Sequence, residues 1–571
     1  MLSLNKFVAC AALWGAVSNT VFSQDEGTQP TDQPLSPSPV ADMVIWGGPV
    51  YTADDSNPKA EAIAIEGGII VFVGSRQDAE RYVGDDTTIL SLDGAALFPG
   101  FVDGHAHLHG IGERELTLNL EGTPSISALK ETVALWRANE QPAVLVGRGW
   151  IETHWPEGRF PTRWDIDAVV ADIPVILARA DGHAIVINSK AMELAGISGD
   201  TTAPYGGEII KNALGEPTGM LVDAAMSLAT QLIPADTQDD IDRALVTGAN
   251  VYARYGWTGL HNMSVPLSRV DALERLADAG DVKIRVYNAI EPEDAPSLFE
   301  SGMRQNADGR IVTRAIKLYM DGALGSRGAA LLEPYADAAS SGLLLTTREQ
   351  TMPLLQQALG SGIQIAMHAI GDRGNRLLLD WFEEAMNDIP TIERAIAIPR
   401  WRDEHTQIVN PEDLPRYAAL GVIASMQPSH AIGDLHFAPA RLGDERLVGA
   451  YAWSSLIASG ATVIGGSDAP VERGDPMIEF YAAVHRHDLE GFQGENWHAE
   501  EAVRREEALK MFTLWPAYAS FAEDRLGSIT VGKEADLTAF DRDIMTIMPT
   551  DIPKTRAIMT IVKGQIAYKA D

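Results

Sequence analysis

Cysteine is nearly missing: Cys10 is the only one in 571 residues. It falls in the first 23 residues, which read as a removable leader, so the mature chain has no thiol. That excludes a cysteine nucleophile, a thiolate metal site and disulfide staples, and it suits an oxidising compartment. Positive charge is scarce as well. Against 79 Asp and Glu stand 45 Lys and Arg, for a formal charge of -34. Nucleic acid and anionic membrane surfaces are both polyanions, so neither is an expected partner. Long apolar runs are lacking too: the N-terminal one, Phe7 to Val17, is too short to span a bilayer.

That run has the marks of an export signal. Lys6 gives a positive start, and Val21 and Ser23 fit the small-residue cleavage rule. Cleavage after Ser23 predicts a periplasmic or secreted protein with no stable membrane insertion; an uncleaved anchor is the alternative. Residues 24–40, rich in Pro, Ser, Asp and Gln, cannot bury a core and read as a flexible linker.

What remains is 46% hydrophobic and 22% charged over the whole chain, enough for a large core and more than one domain. Residues 41–94 alternate apolar and polar positions between Gly-Gly breaks, the pattern of short strands. Residues 524–571 do the same. Two β segments at opposite chain ends predict one small β-sandwich built from both. Between them, residues 95–523 alternate apolar strands with amphipathic helices. Eight strand candidates are spread over this region: "ALFPGFVDGHAH", "GWTGLHNM", "VKIRVYNAI", "RAIKLYMDG", "IQIAMHAIGD", "RWRDEHT", "GVIASMQPS" and "ATVIGGSDAP". The fold class expected is therefore α/β, a (β/α)8 TIM barrel. The stretch from about 116 to 232 is too long for one connection and reads as an insert after the first barrel strand.

Most of these strands end in groups that bind metal or move protons: His105 and His107, then Lys317, His368, His405 and Asp468. In a parallel barrel the C-terminal strand ends share one face, where barrel active sites sit. Side chains two apart on a strand point the same way, which sends His105 and His107 inward together.

This order resembles the amidohydrolase superfamily of metal-dependent hydrolases. It is closer still to its amidohydrolase-3 group, which includes N-substituted formamide deformylase. The segments that carry the likeness are "PGFVDGHAH", "GRGW", "DGHAIVINSKAMELAGI", "IKLYMDGALGSRGAAL", "MHAIGD", "EHTQIV", "GSDAPV" and "GSITVGKEADLTAFD". The resemblance implies two divalent metal ions, most often zinc. His105, His107 and Asp468 would hold the buried ion, and His368 and His405 the exposed one. Lys317 would join them as a carbamate; an ammonium has no lone pair and cannot ligate a cation. If Lys317 stays unmodified, a single ion is the alternative. The implied reaction is attack of metal-bound hydroxide on a carbonyl, with Asp468 as general base and then general acid toward the leaving nitrogen. An amide or N-formyl bond is the expected target. Cyclic amide, ester or dipeptide hydrolysis at the same site is the runner-up. A catalytically silent binding protein is disfavoured because all six positions are filled.

Around this centre, His109 reads as a support or cleft wall. His183 either polarises the substrate carbonyl or is structural. Arg327 binds a substrate carboxylate or caps its loop. Trp150 (with Trp155) lines an apolar cleft or belongs to the core, His430 is a candidate cleft wall, and His485, His487 and His498 read as surface. The partners expected are a small-molecule substrate and a second copy in a homodimer.

Overall fold

The eight apolar runs of the middle region fold as parallel strands in sequence order. In the computed structural model, which describes residues 40–571 apart from His154, Asp181, His183, Tyr205 and Gly206, they form one sheet with seven parallel pairings between neighbours. The strands are β1 (Phe101–Ala106), β2 (Trp257–Val265), β3 (Arg285–Ile290), β4 (Ile311–Tyr319), β5 (Gln364–Ala369), β6 (Arg402–His405), β7 (Ile423–Met426) and β8 (Val463–Gly465). Their near-continuous burial is what a parallel sheet covered on both faces requires. The ring is nearly closed, and polar contacts join its ends. Asp103 on β1 accepts from the Ser467 amide at 2.9 Å and hydroxyl at 2.6 Å, and the Asp468 amide donates to the His105 carbonyl at 2.7 Å. The expected leader and nearly all of the linker lie outside the described residues.

Both chain ends contribute to a second sheet of eight strands. Five come from residues 43–99 and three from 537–569. A bridge joins Ile69 to Glu534, just ahead of Leu537–Phe540, and the sheet encloses an apolar core of its own. Its core contains Ile45, Ile63, Leu97, Leu537 and Ile561. The stretch expected to be the first barrel strand is divided between the two sheets. Ala96–Pro99 pairs with Leu537–Phe540, and β1 begins only at Phe101. The break falls at Gly100, where a Cβ would come within 2.3 Å of Thr258 Oγ1.

The insert carries a third sheet of six strands between Leu118 and Asp223, with apolar clusters on both faces. The chain returns to the barrel through α2 (Gln238–Tyr255). Thr237 and Asp240 exchange bonds as a capping box at its start, and Gly256 at φ +105° ends it. α2 packs closely on α1 (Leu108–Leu116), the helix that follows the HxH segment. A Cβ on Gly112 would lie 1.8 Å from the Ala244 carbonyl oxygen, so glycine is required for the two backbones to meet.

Candidate active site

The C-terminal ends of β1, β4, β5, β6 and β8 bring together the residues that the sequence scattered. His105 closes β1, and His107 stands one residue beyond its end, at the N-terminus of α1. Leu108 donates its amide to Asn262 Oδ1 on β2 at 2.9 Å. Asn262 in turn donates to Asn288 on β3 at 3.0 Å, and Asn288 to Thr313 on β4 at 3.1 Å. This buried ladder across the barrel fixes the turn that aims His107.

Three imidazoles share one arrangement. His105 Nδ1 lies 2.6 Å from Glu404 Oε2, His107 Nδ1 lies 3.0 Å from the Met263 carbonyl, and His405 Nδ1 lies 2.9 Å from Gln427 Oε1. Each partner is an acceptor, so each Nδ1 carries the proton and, in the neutral ring, Nε2 keeps a lone pair. The Nε2 atoms of His105 and His107 lie 3.5 and 3.0 Å from the same oxygen, Asp468 Oδ1. The His107 contact is within hydrogen-bond distance, and a cation set among the three groups would take up both lone pairs and the carboxylate charge. The donor set therefore fits a metal ion, and the Nδ1 partners are the orienting bonds that metal-binding histidines make.

The remaining expected ligands stand around this group. The His368 ring is 4.5 Å from that of His405, centroid to centroid, and its Nε2 is buried with no hydrogen-bond partner among the described residues. Lys317 is buried on β4, with Nζ 5.5 Å from the centre of the Tyr319 ring. His430 completes a second group of potential ligands with His405 and Asp468; its Nε2 is 3.8 Å from Asp468 Oδ2. His405 and Asp468 adopt φ of +82° and +58°. Such backbone is uncommon outside glycine and clusters at functional sites.

Burial governs the protonation of this centre. It pulls His105 down to about 4 and His368 down to about 3, with the Lys317 ammonium adding to both. Burial likewise pulls Lys317 down to about 8 against the opposing charges of Glu404 and Asp468. Burial opposes ionisation of Asp468, but the His107 contact and the His105 and His405 rings outweigh it and hold the carboxyl well below its usual range. Neutral imidazoles around an ionised carboxylate are the forms that ligate.

Several residues that the sequence reading passed over support these. Glu404 and Arg402 are fully buried and paired, with Arg402 Nε 2.6 Å from Glu404 Oε1. Asp321 accepts from the amides of Ala330, Ile370 and Gly371 at 2.7–2.9 Å, tying the loops after β4 and β5 together. Adjacency to a ligand was the only hint for Glu404; Asp321 had none beyond its position after a strand.

For two candidate substrate residues the structure favours the structural role. Trp150 is not a cleft wall: it is fully buried in the insert core, with Nε1 donating to the Leu177 carbonyl at 2.9 Å. Arg327 does not offer a free cation to substrate. Its Nε and Nη2 bind the Asp337 carboxylate at 2.9 and 2.8 Å, which closes the loop after β4. Arg327→Ala is accordingly expected to leave KM within about twofold, since an exposed ion pair contributes little; a larger rise for an anionic substrate in steady-state kinetics would show a binding role. His183 lies outside the described residues. His109 lines a cavity of about 300 Å³ together with His107, Met263, Arg269 and Pro470.

Comparison with known proteins gives a consistent picture. The family model described as "Amidohydrolase family" matches residues 88–568. The Bacillus subtilis protein YtcJ is 33% identical over 92% of this chain and 99% of its own. The N-substituted formamide deformylase of Arthrobacter pascens is 28% identical over 92% of this chain and 98% of its own. Among solved structures, an uncharacterized metal-dependent hydrolase from Pyrococcus horikoshii superposes with a TM-score of 0.74 at 26% identity, covering 89% of this chain and 99% of that one.

Proposed function

The chain belongs to the amidohydrolase family and is a metal-dependent hydrolase of that superfamily, and from that premise we propose that it cleaves a carbon–nitrogen bond other than a peptide bond, of the amide or N-formyl type. One observation carries this reading: His105 and His107, with Nδ1 occupied, turn Nε2 toward one shared carboxylate oxygen of Asp468. The similarity to a formamide deformylase over nearly the whole of both chains supports the choice of bond.

In this proposal His105, His107 and Asp468 hold one divalent ion, and His368 and His405 hold a second. Zinc suits both sets, since imidazole and carboxylate are among its preferred ligands. When bound, such ions polarise a carbonyl and ease deprotonation of water. The chain's own residues do the rest. Asp468 takes the proton from the attacking water and returns it to the departing nitrogen, which must leave as a neutral amine. Lys317 would add carbon dioxide through its neutral amine, forming a new N–C bond and releasing one proton, and the carbamate would offer anionic oxygens for ligation where the ammonium offers none. Burial already lowers the proton affinity of this lysine, which raises the share of reactive amine. Glu404, Met263 and Gln427 hold the three imidazoles in their ligating tautomers.

The test is elemental analysis of the full chain purified with zinc and bicarbonate, beside Lys317→Ala, followed by an N-formylamine and amide panel. Two ions per chain, fewer in the variant, and release of formate from an N-formylamine support the proposal. No bound metal, or metal with hydrolysis confined to esters, overturns it.

A further inference from the structure

We propose, on the hydrolytic reading above, that His430 is a catalytic residue and not a metal ligand: its Nε2–H donates a hydrogen bond to the substrate's carbonyl oxygen beside Asp468. His430 lies in the short helix Pro428–Asp434 that follows β7. Its ring stacks on that of His405, with 6.2 Å between centroids and 17° between planes, which places it at the barrel mouth.

Its Nδ1 contact sets it apart from the other imidazoles. His105, His107 and His405 each turn Nδ1 to an oxygen acceptor. His430 Nδ1 instead lies 3.2 Å from Gln407 Nε2, an amide nitrogen that can only donate. Nδ1 therefore accepts, and the proton of the neutral ring is on Nε2. A protonated Nε2 has no lone pair for a metal. Distance alone groups His430 with His405 and Asp468; the tautomer makes it a donor among them. Gln407, buried two residues beyond His405, is the positioning residue that fixes this tautomer.

The N–H has no acceptor within the chain. Nε2 is buried, with no hydrogen-bond partner among the described residues. Asp468 Oδ2 is 3.8 Å away and Glu472 Oε1 is 3.9 Å away, both beyond hydrogen-bond reach. Asp468 gives Oδ1 to His105 and His107, so Oδ2 is the oxygen on the side of His430. A buried donor left without an acceptor is costly, and an oxygen entering between the ring and the two carboxylates satisfies it. A carbonyl attacked beside Asp468 brings such an oxygen. The hydrogen bond strengthens as negative charge builds there, which lowers the barrier more than it tightens binding.

The test uses the full chain, and thermal melts confirm that each variant folds. Histidine ¹⁵N NMR at about pH 8, above the usual imidazole range, identifies His430 as the signal absent from both His430→Leu and His430→Gln. Protonation at Nε2 is expected; protonation at Nδ1 overturns the proposal. The zinc count of His430→Leu is expected to equal that of wild type, and a lost ion would make His430 a ligand and overturn it. On whichever compound wild type cleaves, amide or ester, His430→Leu is expected to lose about 10²–10³-fold in kcat, with KM within about threefold. His430→Gln keeps an N–H donor and is expected to recover part of that loss. Gln407→Glu offers Nδ1 only an acceptor, so the ring proton moves there and kcat falls as in His430→Leu. Full activity in His430→Leu or in Gln407→Glu overturns the proposal. Hydrolysis confined to esters overturns the choice of bond instead, and the same kcat ratios still decide the role of His430.

Discussion

Asp468→Asn is expected to lower kcat/KM by about 10²–10⁴-fold, the range for losing a positioned acid–base group, while the chain stays folded. The substitution preserves size, so it changes proton affinity and charge more than packing. Two further observations place the cost at the chemistry. Asp468 is the residue shared by the two groups of potential ligands at the barrel mouth, His105 with His107 and His405 with His430. Its backbone amide is separately held by the His105 carbonyl at 2.7 Å, which the variant retains. The check is steady-state kinetics on a cleaved amide, with zinc content and a thermal melt on the same sample. A folded variant within tenfold of wild-type activity would remove Asp468 from the proton path. A variant that falls only in proportion to lost zinc would make it a ligand and no more.

How much of this centre was legible in the sequence depended on how local each signal was. His105 and His107 could be read because strand periodicity and their spacing lie within three residues. Lys317, His368, His405 and Asp468 could be read because each follows an apolar run, and eight such runs imply a barrel whose strand ends meet. Glu404 could not. A carboxylate beside a histidine on a short strand reads as polar edge, and only closure of the barrel sets it against His105, 299 residues away in sequence. The choice between the two roles read for Arg327 was not legible, for the converse reason. Its partner Asp337 is ten residues ahead within the same loop, where no period marks a contact. Trp150 follows two glycines, which left cleft wall and core both open, and it ends a buried strand of the insert. The split at Gly100 was hidden because one unbroken apolar run serves two sheets.

Arg402→Leu is expected to cost about 3–5 kcal/mol of stability, because it leaves a buried carboxylate without its counter-charge. Arg402 is fully buried inside the barrel. It donates to the Gly104 carbonyl at 2.6 Å, to Ser425 Oγ at 3.0 Å and to Glu404 Oε2 at 3.0 Å, and Nη1 lies 2.7 Å from His261 Nδ1. Glu404 is held well below its usual range: burial opposes its charge, while Arg402, His105 and Lys317 sustain it. Take the arginine away and that carboxylate must either stay ionised in an apolar interior or take up a proton. The double variant Arg402→Leu with Glu404→Leu separates stability from function. Removing both charges is expected to recover much of the loss, since a buried pair is often no better than an apolar one. It is not expected to recover metal affinity. His105 then lacks the acceptor that fixes its tautomer, and losing such an outer partner lowers affinity by about 10–100-fold. Urea melts and zinc titrations on the two variants check both halves. If the double variant regains stability and binds zinc as wild type does, the pair serves packing alone. If zinc affinity stays low, Glu404 is a positioning residue, and this buried charge is retained for what it does to His105.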